Sequence, residues 1–175
     1  MSLSVTERAR AIATFRFVEV RLMEITAAWT PTTPEMEVKV LFGRHIWDFA
    51  QHADALGKRT FELRCPEHHS LAPAPEFLGL LEEAAGARTT SERLAALYDA
   101  LLPAMEERYR DYLAKTDTLV DAPSCVILER ILQDSARQRG DADKLRRQMG
   151  LSAGSATPDL RRRASSLESI VAAAV

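Results

Sequence analysis

Residues 43–54 read Gly43-Arg44-His45-Ile46-Trp47-Asp48-Phe49-Ala50-Gln51-His52-Ala53-Asp54, inside a longer segment with helical periodicity. An α-helix turns about 100° per residue, so Asp48 lies about 60° and His52 about 20° from His45. The same arc carries the large apolar residues of the segment: Val38, Leu41, Phe42, Phe49 and Leu56. Two histidines and a carboxylate thus interrupt an apolar face, and we expect that face to point into a helical core.

Polar groups on a buried face need partners, because burying an unpaired imidazole or carboxylate costs free energy. Imidazole nitrogens and carboxylate oxygens are the usual ligands of iron, manganese and zinc. A metal-free network, in which His45, Asp48 and His52 are hydrogen-bonded inside the core, suits the same spacing. The residues leave both interpretations open.

Four long amphipathic segments surround this cluster and predict an all-α helical bundle with one long connection between helices 2 and 3. The predicted helices are about Thr6–Trp29, Pro34–Phe61, Ser91–Thr116 and Pro123–Arg139, with a short helix Glu76–Ala85 in the connection. We expect Thr6, Thr33 and Ser91 to cap the first three helices. Pro103 should kink the third helix, and Gly140 should end the fourth.

The chain after residue 150 has a different composition. Residues 151–158 are rich in Gly, Ser, Ala, Thr and Pro, and a basic run, Arg161-Arg162-Arg163, follows. We therefore predict a bundle domain over residues 1–150. Residues 151–175 should form a flexible linker and tail with at most one short helix.

Composition excludes several functional classes. The 175 residues carry 23 basic against 25 acidic side chains, a net charge of −2, which argues against nucleic-acid binding. No apolar run approaches the length of a membrane span, and the first residues lack a secretory signal. Cys65 and Cys125 cannot form a disulfide framework, so a cytoplasmic location is expected. Cys65 with His68 and His69 matches no strong zinc spacing, and we expect an exposed loop there.

Other helices add carboxylates that interrupt apolar stripes. Glu19 lies about 40° from Phe15, inside the stripe of the first helix, whereas Glu24 should face water. Glu129 lies within the apolar stripe predicted for the fourth helix, and Glu106 lies on the flank of the third. These positions make Glu19, His45, Asp48, His52, Glu129 and Glu106 the candidate metal ligands. The alternative for Glu19 is a pair with an arginine at the edge of the stripe, and for Glu129 it is a surface contact one turn on, for example with Gln133. For Glu106 the alternative is exposure to water.

Several stretches resemble a group of bacterial ferritin-like domain proteins of unassigned function. They are Trp29-Thr30-Pro31-Thr32-Thr33-Pro34-Glu35, residues 43–48, residues 51–56, and the turn from Thr116 to Pro123. The resemblance covers roughly residues 6–139 and implies a ferritin-like four-helix bundle. In the wider superfamily, one Glu from each of two helices and a Glu-x-x-His from each of the other two hold two iron or manganese ions.

The match to that ligand pattern is partial. Glu19 matches the glutamate of the first helix. Asp48 stands where the second carboxylate is expected, but Gln51 follows it by three residues and the histidine comes one residue later. Glu129 matches the glutamate of the fourth helix, but Leu132 replaces its histidine. A mononuclear site, an unusual dinuclear site and a lost site remain alternatives.

Two functions follow from these expectations. The first is a non-haem iron or manganese oxidoreductase that activates dioxygen or peroxide beside a small-molecule substrate; a haem-oxygenase-like di-iron oxidase is a variant of it. The second is a metal-free, degenerate ferritin-like bundle that acts as a binding or interaction protein. A homodimer is expected for either, with no nucleic-acid or membrane partner.

Overall fold

A computed structural model of the chain describes residues 3–64, 70–151, 157–167 and 169–172. The expected all-helical class is confirmed over these ranges, where the one β contact is a bridge between Pro73 and Val171. The elements are α1 (Val5–Trp29), α2 (Met36–Glu62), α3 (Pro75–Ala85), α4 (Thr90–Leu94), a π-helical segment (Ala95–Leu101), α5 (Leu102–Lys115), α6 (Ala122–Met149) and α7 (Thr157–Ser166). None of the helices in the described ranges combines the length and apolar character that crossing a membrane requires. The loop predicted for Cys65, His68 and His69 lies outside the described residues, as do residues 152–156 of the predicted linker.

Two capping boxes decide where helices begin, and they correct the predicted caps. Ser4 caps α1 in place of Thr6: its Oγ accepts from the Glu7 amide and the Glu7 carboxylate accepts from the Ser4 amide. Thr89 caps α4 in the same way with Glu92, so the prediction that Ser91 caps this helix was wrong. Both sites are Ser/Thr-x-x-Glu sequences, in which two backbone amides are satisfied reciprocally.

The second and fourth predicted helices also have different bounds. α2 begins at Met36 because Thr33 has another role: its hydroxyl donates to the Trp29 carbonyl and accepts from Arg93. α6 continues through Gly140 to Met149, so the predicted end at Gly140 was wrong. The helix ends instead at Gly150, which has a left-handed φ of 65° that glycine adopts without steric cost.

The third long helical run changes register at its centre. α4 leads directly into the π-helical segment Ala95–Leu101, and α5 follows with Pro103 in its first turn. Proline has no amide hydrogen to donate to the preceding turn. The Leu102 amide bonds to the carbonyl of Leu97, five residues back. The structure therefore shows a local π register beside Pro103, where the sequence predicted a kink.

Paired contacts define how the long helices run. α1 is antiparallel to α2, since Trp29 packs on Phe42 while Glu19, earlier in α1, bonds to His52. α2 is antiparallel to α6 by the same reasoning, because the early α2 residue His45 lies near the late α6 residue Asp141 and His52 bonds to Asp134. These three helices supply most of the interior polar groups.

The third helical run is parallel to α2. Glu35 accepts from Thr90 at one end, and His45 bonds to Tyr98 two turns further along. The connection over residues 63–89, which contains α3, must therefore return the chain to the end where α2 began. Tyr109 reaches across to Glu19, so α5 also packs against α1.

Residues 158–167 and 169–172 include side chains that pack on the same core, where the sequence predicted a flexible tail. Leu160, Ala164 and Ile170 are buried. The Ala74 amide donates to the Ile170 carbonyl at 2.8 Å, and Arg108 donates to the Ala164 carbonyl at 2.8 Å. Two apolar side chains one helical turn apart give α7 a buried face, although its exposed positions carry the basic run.

Candidate functional site

His52 is the centre of a buried polar group that joins four helices. Its Nδ1 lies 3.0 Å from Oε2 of Glu19, and its Nε2 lies 3.2 Å from Oδ2 of Asp134. The Tyr109 hydroxyl donates to Oε1 of Glu19 at 2.5 Å. His52 and Glu19 are 4% and 1% exposed, so the expected inward orientation of both is confirmed. We call Glu19, His52, Tyr109 and Asp134 the His52 cluster.

The charges of the cluster follow from its geometry. Burial by itself disfavours a charged imidazole, but Glu19 and Asp134 outweigh it and raise the pKa of His52 above its ordinary value. Burial likewise disfavours the Asp134 carboxylate, while Arg137 and His52 together hold its pKa below the usual range. Ionised carboxylates only accept, so hydrogen bonds to both of them require a hydrogen on each ring nitrogen of His52, which is the imidazolium form.

His45 has a different environment, about two helical turns before His52. Its Nδ1 lies 2.6 Å from the hydroxyl of Tyr98, and its side chain is fully buried. Nε2 has no hydrogen-bond partner and lies 3.9 Å from Oδ2 of Asp141. Burial lowers the pKa of His45 to about 4, against the weaker opposing effect of Asp48 and Asp141. His45 is therefore neutral near pH 7.

Asp48 lies at the edge between α2 and α6, with 19% of its side chain exposed. Its Oδ2 accepts from Arg137 at 2.9 Å and from the amide of Gln138 at 3.1 Å. Gln138 is fully buried, and its Oε1 has no hydrogen-bond partner. The carboxylate of Asp48 is thus bonded to α6 and not to either histidine of its own helix.

Glu106 is buried, and its negative charge is balanced by two arginines. It accepts from Ser135 at 2.7 Å and from Arg110 and Arg139 at 3.0 and 3.2 Å. Burial alone would raise the pKa of Glu106, but Ser135 and the two arginines outweigh it and lower the pKa. The alternative that Glu106 is a solvated charge is wrong, since it is only 4% exposed.

The prediction that Glu129 lies within the buried stripe of its helix was wrong. It is exposed, whereas the buried face of α6 comprises Ser124, Cys125, Leu128, Ile131, Ser135, Gln138 and Ala142. The buried face is rotated by about 75° from the predicted stripe of Cys125, Leu128, Leu132 and Ala136. Apolar periodicity failed here because Ser135 and Gln138, both polar, are directed inward to meet Glu106 and Asp48.

Sequence reasoning missed Asp134, Asp141 and Tyr98 as members of the site. Asp134 and Asp141 form a polar row on α6 with Arg137, a pattern typical of a solvated helix face. Tyr109 is a core tyrosine whose buried hydroxyl donates to Glu19.

The arrangement does not fit the expected dinuclear centre. Glu19 and Asp134 lie on opposite edges of the His52 ring, so one ion cannot bind both carboxylates through that imidazole. Both ring nitrogens of His52 face carboxylate oxygens, so a metal ion at either nitrogen would have to displace one of these hydrogen bonds. In the described part of the chain, no group of three or more His, Cys, Asp or Glu side chains is arranged to hold a metal ion.

Comparison with known proteins gave no relative: no protein-family model, curated protein or solved structure matches the chain.

Proposed function

We propose that the chain is a metal-free ferritin-like bundle that acts as an interaction protein. The observation that carries the proposal is the state of His52, whose two ring nitrogens are both bonded to carboxylates. In that state the expected ligands Glu19 and His52 are each other's partners. A buried ion pair of this kind, with all its hydrogen bonds made, replaces the ligand–metal bonds of a ferritin-like site.

The ferritin-like part of the proposal is supported by helix direction. α2 and the third helical run are parallel, and they are separated in sequence by the long connection that contains α3. One long connection between parallel helices is typical of ferritin-like bundles. The burial of Glu19 supports the proposal, because ferritin-like bundles carry an inward glutamate on the first helix.

The remaining candidate ligands support the metal-free interpretation. Glu106 is bonded to Arg110 and Arg139, and Asp48 is bonded to Arg137. A metal ion would have to displace these arginines, and the displaced guanidinium groups would lie close to the added positive charge. Glu129 is exposed and cannot contribute from its present position.

A non-haem iron or manganese oxidoreductase is the second candidate, and one observation favours it. Nε2 of His45 is buried without a hydrogen-bond partner, 3.9 Å from Oδ2 of Asp141. Two ligands that each lie about 2.1 Å from an ion are compatible with such a separation. The neutral state of His45 also keeps a ring lone pair.

Metal content separates the two candidates. The full chain is purified without chelator from cells supplied with iron and manganese, and the metal is measured by elemental mass spectrometry. A second sample is reconstituted anaerobically with ferrous iron. We expect no stoichiometric metal in either sample.

About one or two equivalents of iron or manganese per chain, lost in the His45→Leu/His52→Leu double variant, would overturn the metal-free proposal. A ring-nitrogen NMR titration of His52 provides an independent check. A doubly protonated ring at neutral pH supports the carboxylate-bound state, whereas a neutral ring contradicts it.

A further inference from the structure

The outer face of α2 carries a row of exposed apolar side chains. Met36, Val40, Trp47 and Phe61 are 66%, 51%, 66% and 69% exposed. At 100° per residue the four lie within an arc of about 60°, so the row follows one side of the helix for nearly its whole length. Gly43 lies on the same side, and apart from the backbone of its own helix turn and its two neighbours in the chain, no described atom lies within 4 Å of the position that its Cβ would occupy. We call these five residues the α2 row.

The α2 row needs a physical explanation, because aligned large apolar groups on a protein surface mark interaction sites more often than scattered ones do. The inner face of α2 is already packed, with Phe42, Phe49 and Leu56 fully buried. Tryptophan is the residue type most enriched among the energetically dominant residues of interfaces. Trp47, near the middle of the row, is the natural centre of a contact.

We propose that the α2 row docks a second copy of this chain, with the two α2 helices antiparallel across a two-fold axis near Trp47. The proposal rests on the interaction role proposed above and names its partner. A two-fold contact is self-complementary, so each favourable pair in it occurs twice.

Charges on this side of α2 favour this partner and this direction. Glu37 and Lys39 flank the row, whereas Asp54 and Lys58 lie within its arc between Trp47 and Phe61 and are bonded to each other at 2.6 Å within one copy. In an antiparallel pair, residues whose numbers have a constant sum lie at the same level along the axis. If the residue numbers of facing positions add up to about 95, Glu37 lies opposite Lys58 of the second copy. In the same register Lys39 lies about 3 Å along the axis from the level of Asp54 in the second copy. Both contacts join opposite charges, and both recur by symmetry.

The same register also pairs the apolar residues. It brings Met36 to within about 3 Å of the level of Phe61 in the second copy. The two Trp47 side chains meet beside the axis. Gly43, one turn from Trp47 and without a side chain, lets the two helices approach closely there. One register thus satisfies the apolar ends, the aromatic centre and the flanking charges together.

The first test is the mass of the full-length protein in solution. Light scattering coupled to size exclusion, followed by sedimentation equilibrium, should give twice the 19.5 kDa chain mass. Trp47→Glu should weaken the dimer by about thirtyfold or more, as for a central interface residue. The matched control is Leu119→Glu, because Leu119 is 87% exposed in the turn between α5 and α6, off the α2 row. Circular dichroism melts of both variants confirm that they fold.

The second test exchanges charges between copies. Glu37→Lys alone and Lys58→Glu alone should each be monomeric, since each places like charges opposite one another twice. Mixing these two variants should restore a dimer, because both symmetry-related contacts of the mixed pair then join a basic side chain of one copy to an acidic side chain of the other.

A monomer at every concentration overturns the dimer proposal and leaves the metal-free proposal to its own measurement. Equal dissociation of the Trp47 and Leu119 variants, or no recovery on mixing the charge variants, also overturns it. If a stable complex forms only when a different protein is added, the α2 row binds another partner, and the proposal that it binds a second copy is wrong.

Discussion

Acidification should destabilise this protein through one buried histidine. His45 is 0% exposed, and its pKa in the folded chain is about 4, against an ordinary value of 6.5. The perturbation is a fall from pH 7 to pH 4, applied to the natural protein and to His45→Gln. Glutamine keeps an amide that can bond to the Tyr98 hydroxyl but cannot titrate.

The sign and magnitude follow from proton linkage. Below pH 6.5 His45 is protonated in the unfolded chain, whereas in the folded chain it is protonated only below about pH 4. The stability that His45 contributes is therefore complete above pH 6.5, declines as pH falls, and levels off below about pH 4. At about 1.4 kcal/mol per pH unit, the natural protein should lose about 3 kcal/mol more than the variant across this interval.

His52 acts in the opposite direction and is present in both proteins. Its pKa is raised in the folded state, so its contribution is complete below 6.5 and is lost as pH rises through the folded pKa. The difference between the natural protein and His45→Gln cancels this effect. A His52→Gln variant tests the opposite sign. The difference in free energy of unfolding between this variant and the natural protein should shrink as pH rises.

The assay is urea unfolding followed by circular dichroism at half-unit steps of pH. The free energy of unfolding of each protein is extrapolated to water at each step. Parallel stability curves for the natural protein and His45→Gln would refute the reasoning. They would mean that His45 takes up a proton in the folded state as readily as in the unfolded one, and so is not isolated from water.

Three further predictions concern stability and use the same unfolding assay. Asp121 is fully buried and accepts from Arg59, whose other carboxylate partner is the exposed Glu62. Asp121→Ala should cost about 3–5 kcal/mol, as is usual when a buried ion pair loses one member, and a loss below about 1 kcal/mol would contradict the buried pair. Leu160→Ala should cost about 2–5 kcal/mol because α7 is part of the core, whereas Arg161→Ala on the exposed side should change stability by less than about 0.5 kcal/mol; equal effects would mean that α7 is not docked. Gly150→Ala should cost about 1 kcal/mol, because the residue that ends α6 has a positive φ, and no loss would argue against that helix end.

Local sequence was a good guide to the inner faces of α1 and α2. Large apolar residues dominate both stripes, so the polar exceptions Glu19, His45 and His52 could be identified as buried from periodicity alone. The same method failed on α6, because part of its buried face is polar. Ser135 and Gln138 look like surface residues until Glu106 and Asp48 are seen to receive their hydrogen bonds.

Some helix ends could likewise be predicted from local sequence, and others could not. Ser4 and Thr89 each precede a glutamate by three residues, so the capping boxes were readable from the sequence, although Thr6 and Ser91 were chosen instead. The extension of α6 past Gly140 was not readable in this way. Glycine costs an isolated helix about 1 kcal/mol, and packing of the next turn, where Ala142 is fully buried, outweighs that cost.

The sequence by itself determined that the chain is helical, where its main segments lie, and which residues of α1 and α2 point inward, because these features depend on spacing along one helix. Only the tertiary structure decided what the inward groups do. Glu19 and Asp134 are 115 residues apart in sequence, and no local pattern says that both meet one imidazole. The charge on His52, the neutrality of His45 and the placement of the last helix on the core all depend on distances between helices, and those distances exist only after the chain has folded.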